Sequence, residues 1–166
     1  YWPEGESLAT VHHGDVIQEM LSFDVDILNW MFGMPDKVWG AGAASQGAFD
    51  HVHAGLRYGD VIVAAEASVL LPRGSTFATT LRATCENGMV ELDFLLPPGG
   101  PVEMWFAQTR SGGKQSAIQV EGIDPDVAQM RAFKRAVEAG PKGDEVLAES
   151  ARDTLDVCLQ IDAVLR

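Results

Sequence analysis

Seven strand-like segments lie between residues 37 and 120, and amphipathic helices bracket them. That order constrains the fold more than any other feature. Strands gathered in one run, with helices gathered at the ends, predict an α+β chain. The expected form has two layers: a mostly antiparallel (mixed) β-sheet with helices packed on one face. The segments run 37–45, 50–58, 61–71, 76–85, 89–96, 102–108 and 116–120. No internal repeat and no low-complexity linker interrupts them.

Two hairpins can be registered by counting. Gly59-Asp60 suits a two-residue turn with glycine leading, and Asn87-Gly88 is a strong short hairpin signal. The first turn sets Val52 against Ala67, Ala54 against Ala65 and Leu56 against Val63, with His53 opposite Glu66 on the other face. The second sets Ala83 against Leu92 and Leu81 against Phe94, with Arg82 opposite Asp93 and Thr84 opposite Glu91. Each hairpin then has one apolar and one mixed polar face.

The helices are equally legible. In the stretch from Gly14 to Gly33, Val16, Ile17, Met20, Leu21, Ile27, Leu28, Met31 and Phe32 recur at helical spacing. A second stripe of Glu19, Phe23, Asp26 and Trp30 follows at four, seven and eleven residues. Two acids and two aromatics in one row are unusual for a plain surface helix. Near the other end, Asp124 reads as an N-cap with Pro125 at the first helical position. Val127, Met130, Phe133 and Val137 form an apolar stripe there, and Gly140-Pro141 stops the helix. The last helix starts near Ala148 and turns Ala151, Leu155, Cys158, Leu159 and Leu165 inward.

Composition removes several classes of function. The 166 residues suit one domain with a real core, and the net charge of −12 argues against a phosphate-backbone partner, so no nucleic acid is expected. No apolar run approaches the ~18 residues of a membrane span, so no membrane partner is expected. Cys85 and Cys158 lie far apart without metal-ligand spacing and read as two buried thiols of a reducing, cytoplasmic compartment. The start, Tyr1-Trp2-Pro3-Glu4, has no basic signal-peptide region and suits an excised fragment.

The segment Gly14–Gly33 resembles the signature helix of the Gfo/Idh/MocA oxidoreductases, the glucose–fructose oxidoreductase and inositol dehydrogenase family. The family tends to read GG-x-x-x-D-x-x-x-H-D-x-D-x-x-x-W-x-x-G here. This chain has Glu19 for the first Asp, then Phe23, Asp24, Asp26, Trp30 and Gly33. Further matches follow in order: Asp50-His51, Leu56 to Asp60, Glu66-Ala67-Ser68, Asn87 to Leu92, and Arg131-Ala132-Phe133 through Ala139-Gly140. The similarity spans nearly all of the chain, and it is the order and spacing of these motifs that is specific.

Such proteins carry an N-terminal Rossmann domain and a C-terminal α/β domain. The resemblance implies that residues 1–166 are the C-terminal substrate-binding and oligomerisation domain, with the Rossmann domain outside it. It implies NAD or NADP in the full-length parent and no cofactor in this chain. The implied substrate is a sugar, cyclitol or related secondary alcohol, and the isolated domain should not catalyse. One departure matters. The family's proton-accepting His falls at Phe23, which cannot carry a proton. The alternative is a non-catalytic sugar-binding or dimerisation module.

Several residues then become candidates, each beside a plainer reading. Glu19 lines the substrate pocket as a general acid/base if burial raises its pKa, or is a solvated Glu beside a packed Phe. Phe23 and Asp26 line the same pocket. For Asp24 and Asp26, structural hydrogen bonding is the plainer role. His12 and His13 precede the helix; one of them is a candidate stand-in for the missing base, and His13 is a candidate substrate-binding residue, with two solvated loop histidines as the alternative. His51, His53 and Glu66 share a polar sheet face and could bind a metal. A cross-strand His–carboxylate pair suffices, so no metal is expected. Gly40-Ala41-Gly42-Ala43-Ala44-Ser45 imitates a dinucleotide fingerprint but runs into another strand instead of a helix. The resemblance also implies a homodimer or higher homo-oligomer through the open sheet face, with Met104, Trp105 and Phe106 suited to that interface.

Overall fold

A computed structural model describes residues 15–120, 124–140 and 148–166. The α+β class is as expected, and every strand pairing is antiparallel. The strands form two hydrogen-bonded sheets, of three and four strands, where the sequence suggested one. The chain divides into two compact units: Tyr1–Leu71 with Pro125–Arg166, and Pro72–Asp124.

The first unit opens on Asp15. Its Oδ1 accepts a hydrogen bond from the Ile17 N–H at 3.0 Å, and its Oδ2 accepts one from the Phe49 N–H at 2.9 Å. One carboxylate thus starts a helix and ties it to a strand. The helix begins as a π turn, Ile17–Leu21, and continues as α1, Ser22–Phe32. An α-helical step of four residues overshoots one turn. The wider π turn undershoots it and offsets the drift. Ile17, Leu21 and Val25 therefore stay in line and are all buried. Sequence periodicity, which assumes one pitch throughout, leaves Val25 out and places Ile27, Met31 and Phe32 inside. Those three are substantially exposed.

Three strands follow: β1 Lys37–Ser45, β2 Ala48–Tyr58 and β3 Val61–Ser68, in the order β1-β2-β3. The first predicted register holds: Val52 faces Ala67, Ala54 faces Ala65, Leu56 faces Val63, and His53 faces Glu66. The Gly59 turn is braced by Asp36, whose Oδ2 accepts from the Gly59 N–H at 2.6 Å. On the outer face Trp39 lies across Gly55, where a Cβ would collide with the indole ring.

The inner face of this sheet packs against α1 and against the last helix of the chain, Ala148–Leu165. The fully buried set includes Ile17, Leu21, Val25, Val52, Leu56, Val157 and Ile161. Each such side chain contributes about 1.5–3 kcal/mol relative to exposure. The last helix starts where the sequence placed it, but its inward row is offset. Thr154, Val157, Cys158 and Ile161 are buried, while Leu155 and Leu159 are each 49% exposed. The stripe of smaller residues fits against α1, and Thr154 enters because its hydroxyl finds an acceptor there.

In chain order the preceding helix, α2, is Pro125–Ala139, and the last is α3. The bounds of α2 match the expected cap and stop, with Gly140 at a φ of +67°. Its apolar stripe was expected in the core. Instead Val127, Met130, Phe133 and Val137 are all exposed, Phe133 at 56%. Amphipathic spacing shows that a face is apolar; it does not supply the surface that covers it.

The second unit is a meander of β4 Phe77–Cys85, β5 Gly88–Leu96, β6 Glu103–Arg110 and β7 Lys114–Ala117. Its first hairpin differs from expectation by two residues. Cys85 pairs with Gly88, so the loop is Glu86-Asn87, and Arg82 faces Glu91 instead of Asp93. Gly88 is needed as a ladder residue. A Cβ there would run into the Thr109 carbonyl oxygen of β6. A shift of two preserves the faces, and the Arg82–Glu91 pair closes at 2.8 Å. Cys85 is exposed, contrary to expectation, because it ends its strand at that loop; Cys158 is buried as expected.

Candidate functional site

The candidate residues of the π turn and α1 lie on the outward side of that helix. Glu19, Phe23, Asp26 and Trp30 are all exposed, Phe23 at 71% and Trp30 at 86%. The inward side of the same helix is the core, so this row is held on a rigid support. Asp26 has a structural tie as well: its Oδ1 accepts from the Thr154 hydroxyl at 2.8 Å, joining α1 to α3. Its exposed position leaves the second oxygen available to a ligand.

Asp24 sits on the flank of this row and is half-buried. Burial raises its pKa above the ordinary carboxylate value, and no hydrogen bond reaches it among the described residues. His12 and His13 lie outside the described residues.

Three residues outside this row make polar contacts that no motif above marks. Asp15 anchors the start of the helix, and its position ahead of an apolar-periodic run is a capping signal that was available. Arg166 closes the same corner. Its Nε donates to both Asp162 oxygens, at 2.9 and 2.8 Å, and its guanidinium lies 3.7 Å from Asp15 Oδ2. That bond holds the Asp162 carboxyl below its ordinary value. Asn29 faces Tyr58, whose hydroxyl lies 3.5 Å from Asn29 Oδ1, and the Tyr58 ring lies 5.5 Å from that of Phe32. Burial pushes the Tyr58 phenol up to about 12. No local pattern marks Asn29, because its partner is twenty-nine residues away.

The fingerprint-like Gly40-Ala41-Gly42 lies inside β1, paired along its length with β2. A loop and a further strand follow it, so it offers no helix N-terminus for a pyrophosphate. His51 and His53 stand one residue apart on the outer face of β2, with rings 4.8 Å apart, and His53 Nε2 lies 3.7 Å from Glu66 Oε2.

The proposed interface residues separate. Strand alternation puts Met104 and Phe106 beside Phe94 and Leu92 on the apolar face of the second sheet, and Trp105 beside Asp93 on the opposite face. Adjacent positions on a strand cannot share a face. No helix among the described residues is long and apolar enough to cross a membrane.

The backbone arrangement has known counterparts. UDP-N-acetylglucosamine 3-dehydrogenase GnnA from Acidithiobacillus ferrooxidans superposes with a TM-score of 0.74 at 18% identity, over 91% of this chain and 47% of that one. An oxidoreductase from Bacillus cereus superposes with a TM-score of 0.53 at 13% identity, over 94% of this chain and 52% of that one. The WlbA dehydrogenase from Bordetella pertussis, in complex with NADH and UDP-GlcNAcA, gives 0.53 at 14% identity, over 91% and 42%. The chain therefore spans about half the length of these structures. No curated protein sequence matches it. The family profile of the GFO/IDH/MocA C-terminal domain matches residues 2–91, more than half of the sequence. The chain belongs to the GFO/IDH/MocA family, to whose C-terminal domain it corresponds.

Proposed function

We propose that this chain is the substrate-side half of an NAD(P)-dependent oxidoreductase acting on a sugar, cyclitol or related secondary alcohol. The observation that carries the reading is the row of Glu19, Phe23, Asp26 and Trp30, presented outward on a helix whose other side is fixed in the core. Exposed aromatics beside carboxylates suit a surface that binds a polyol and is covered by a partner domain. The nicotinamide, bound by the other half of the parent, supplies the hydride acceptor. In this reading Glu19, exposed in this chain, takes the hydroxyl proton once a partner domain covers it, Asp26 hydrogen-bonds substrate hydroxyls, and Phe23 shapes the pocket. His13 remains a candidate to bind substrate or to replace the missing base. Two similar proteins, a UDP-N-acetylglucosamine 3-dehydrogenase and a dehydrogenase in complex with UDP-GlcNAcA, make nucleotide-linked sugars the first class to test.

The full-length parent, assayed with NAD and NADP against UDP-sugars, free sugars and cyclitols, should turn one class over. Glu19→Gln should lower kcat by about 10²–10⁴-fold if Glu19 is the acid/base. An unchanged rate removes Glu19 from the mechanism.

A second reading rests on Phe23 itself. A parent that binds a sugar ligand without turnover would be a non-catalytic member, and Phe23→His should then create or raise activity. In either case we propose that the apolar face of the second sheet, with Phe94, Met104 and Phe106, meets a second copy of the chain. Met104 is 56% exposed there. Sedimentation should show an oligomer that Met104→Glu dissociates; a monomeric parent would remove this interface.

A further inference from the structure

We propose that His51, His53 and Glu66 bind one divalent transition-metal ion of the zinc class across β2 and β3. The inference is independent of the nicotinamide reading. Its basis is local geometry. Residues two apart on a strand point to the same side, and the β2–β3 register sets His53 directly opposite Glu66. The three side chains offer two imidazole nitrogens and one carboxylate oxygen, all within 4.8 Å of one another.

The spacing of His53 and Glu66 suits an ion better than a direct bond. Their closest atoms are 3.7 Å apart, beyond hydrogen-bonding distance. Two ligand atoms on a tetrahedral zinc, each about 2.0–2.2 Å from the metal, stand roughly 3.3 Å from each other. His51 must swing in by roughly 1.5 Å to complete such a set. Its strand neighbours are small. The neighbours of His53 and His51 on β1 are Ala41 and Ala43, and the residue opposite His51 on β3 is Ser68. Small side chains on both flanks also leave room for water in the remaining position.

The donor set narrows the ion. Two imidazoles with one carboxylate favour zinc, nickel, copper or iron over calcium and magnesium, which take oxygen ligands. Three protein ligands leave an open position, as in sites where zinc holds water. In this place the ion would also act as a clip between two strands, so binding should raise the melting temperature of the protein.

Calorimetric titration of tag-free, metal-stripped protein with Zn²⁺ tests the proposal. The expected result is one ion per chain. His51→Ala, His53→Ala and Glu66→Gln should each weaken binding by at least about tenfold, since even supporting residues around a metal are worth that much. The His12→Ala/His13→Ala double variant should bind like the native protein. His53 and Glu66 are exposed and His51 is half-buried, and a melting curve without metal confirms that each variant is folded. Native-like affinity in His53→Ala would overturn the site. So would loss of binding in the His12/His13 double variant, which would move the ion elsewhere.

Discussion

In the three-stranded unit, Val52, Ala54 and Leu56 of β2 disappear beneath Ile17, Leu21, Val25, Val157 and Ile161. In the four-stranded unit, the corresponding row of β5, Val90, Leu92 and Phe94, stays half-buried. Ala107 is the one fully covered apolar side chain of that unit among the described residues. Both sheets alternate apolar and polar positions with equal regularity. The difference is the second layer. The first sheet receives α1 and α3, which are more than a hundred residues apart in sequence, and the second unit has no helix of its own among the described residues. Alternation decides which face wants cover; only the long-range partner decides whether it gets it.

The largest expected effect tests that contrast directly. Leu56→Ala, within the first core, should destabilise the protein by about 2–5 kcal/mol. Leu92→Ala, on the half-buried face, should lose less than about 1.5 kcal/mol, in proportion to the smaller area it covers. Denaturant unfolding at low protein concentration measures both. Equal losses would break the comparison. A Leu92→Ala loss that grows with protein concentration would sharpen it, by showing that a second copy completes the face.

Asp15→Ala comes next. It leaves two backbone N–H groups, of Ile17 and Phe49, without their acceptor. A loss of about 1–2 kcal/mol is expected. The same change should shift the Arg166 contact, so the double variant with Arg166→Ala should lose less than the sum of the single changes. Strict additivity would show that the corner is not a unit.

The first core should also weaken in alkali. Burial pushes the Cys158 thiol from its ordinary 9.0 up to about 11, and the Tyr58 phenol from 10.0 up to about 12. Both folded values exceed the unfolded ones, so their contribution is whole below about pH 9. It declines as the unfolded chain ionises first, between roughly pH 9 and 12. Cys158→Ala should flatten the lower part of that decline. At neutral pH the same difference appears as selective labelling: Cys85, exposed, should react with a thiol reagent while Cys158 stays protected. Fast modification of both thiols would argue against a closed first core.

How much of this was legible follows the same division. The β2–β3 register was readable because Gly59 both leads the turn and has nothing against it. The β4–β5 register was not, because Gly88 answers to β6, a strand that a hairpin rule does not see. The inward rows of α1 and α3 were displaced by local events, a π turn and the Thr154–Asp26 bond, which periodicity averages over. The outward row of Glu19, Phe23, Asp26 and Trp30 was legible because it breaks the pattern of an ordinary helix surface. What that row does chemically is not written in its spacing, which fixes a face and not a ligand.

The smallest effect concerns the register itself. Arg82 lies opposite Glu91, and the two side chains meet at 2.8 Å with Arg82 mostly in solvent. A cross-strand pair with one partner in solvent is worth about 0.2–1 kcal/mol, and less in high salt. A double-mutant cycle on Arg82→Ala and Glu91→Ala should return a coupling in that range. The same cycle on Arg82 and Asp93 should return about zero, because the two-residue shift separates them. The reverse outcome would restore Asn87-Gly88 as the loop. A coupling measurement of a few tenths of a kcal/mol therefore decides which neighbour sets the register of the second sheet: the turn beside Gly88 or the strand across from it.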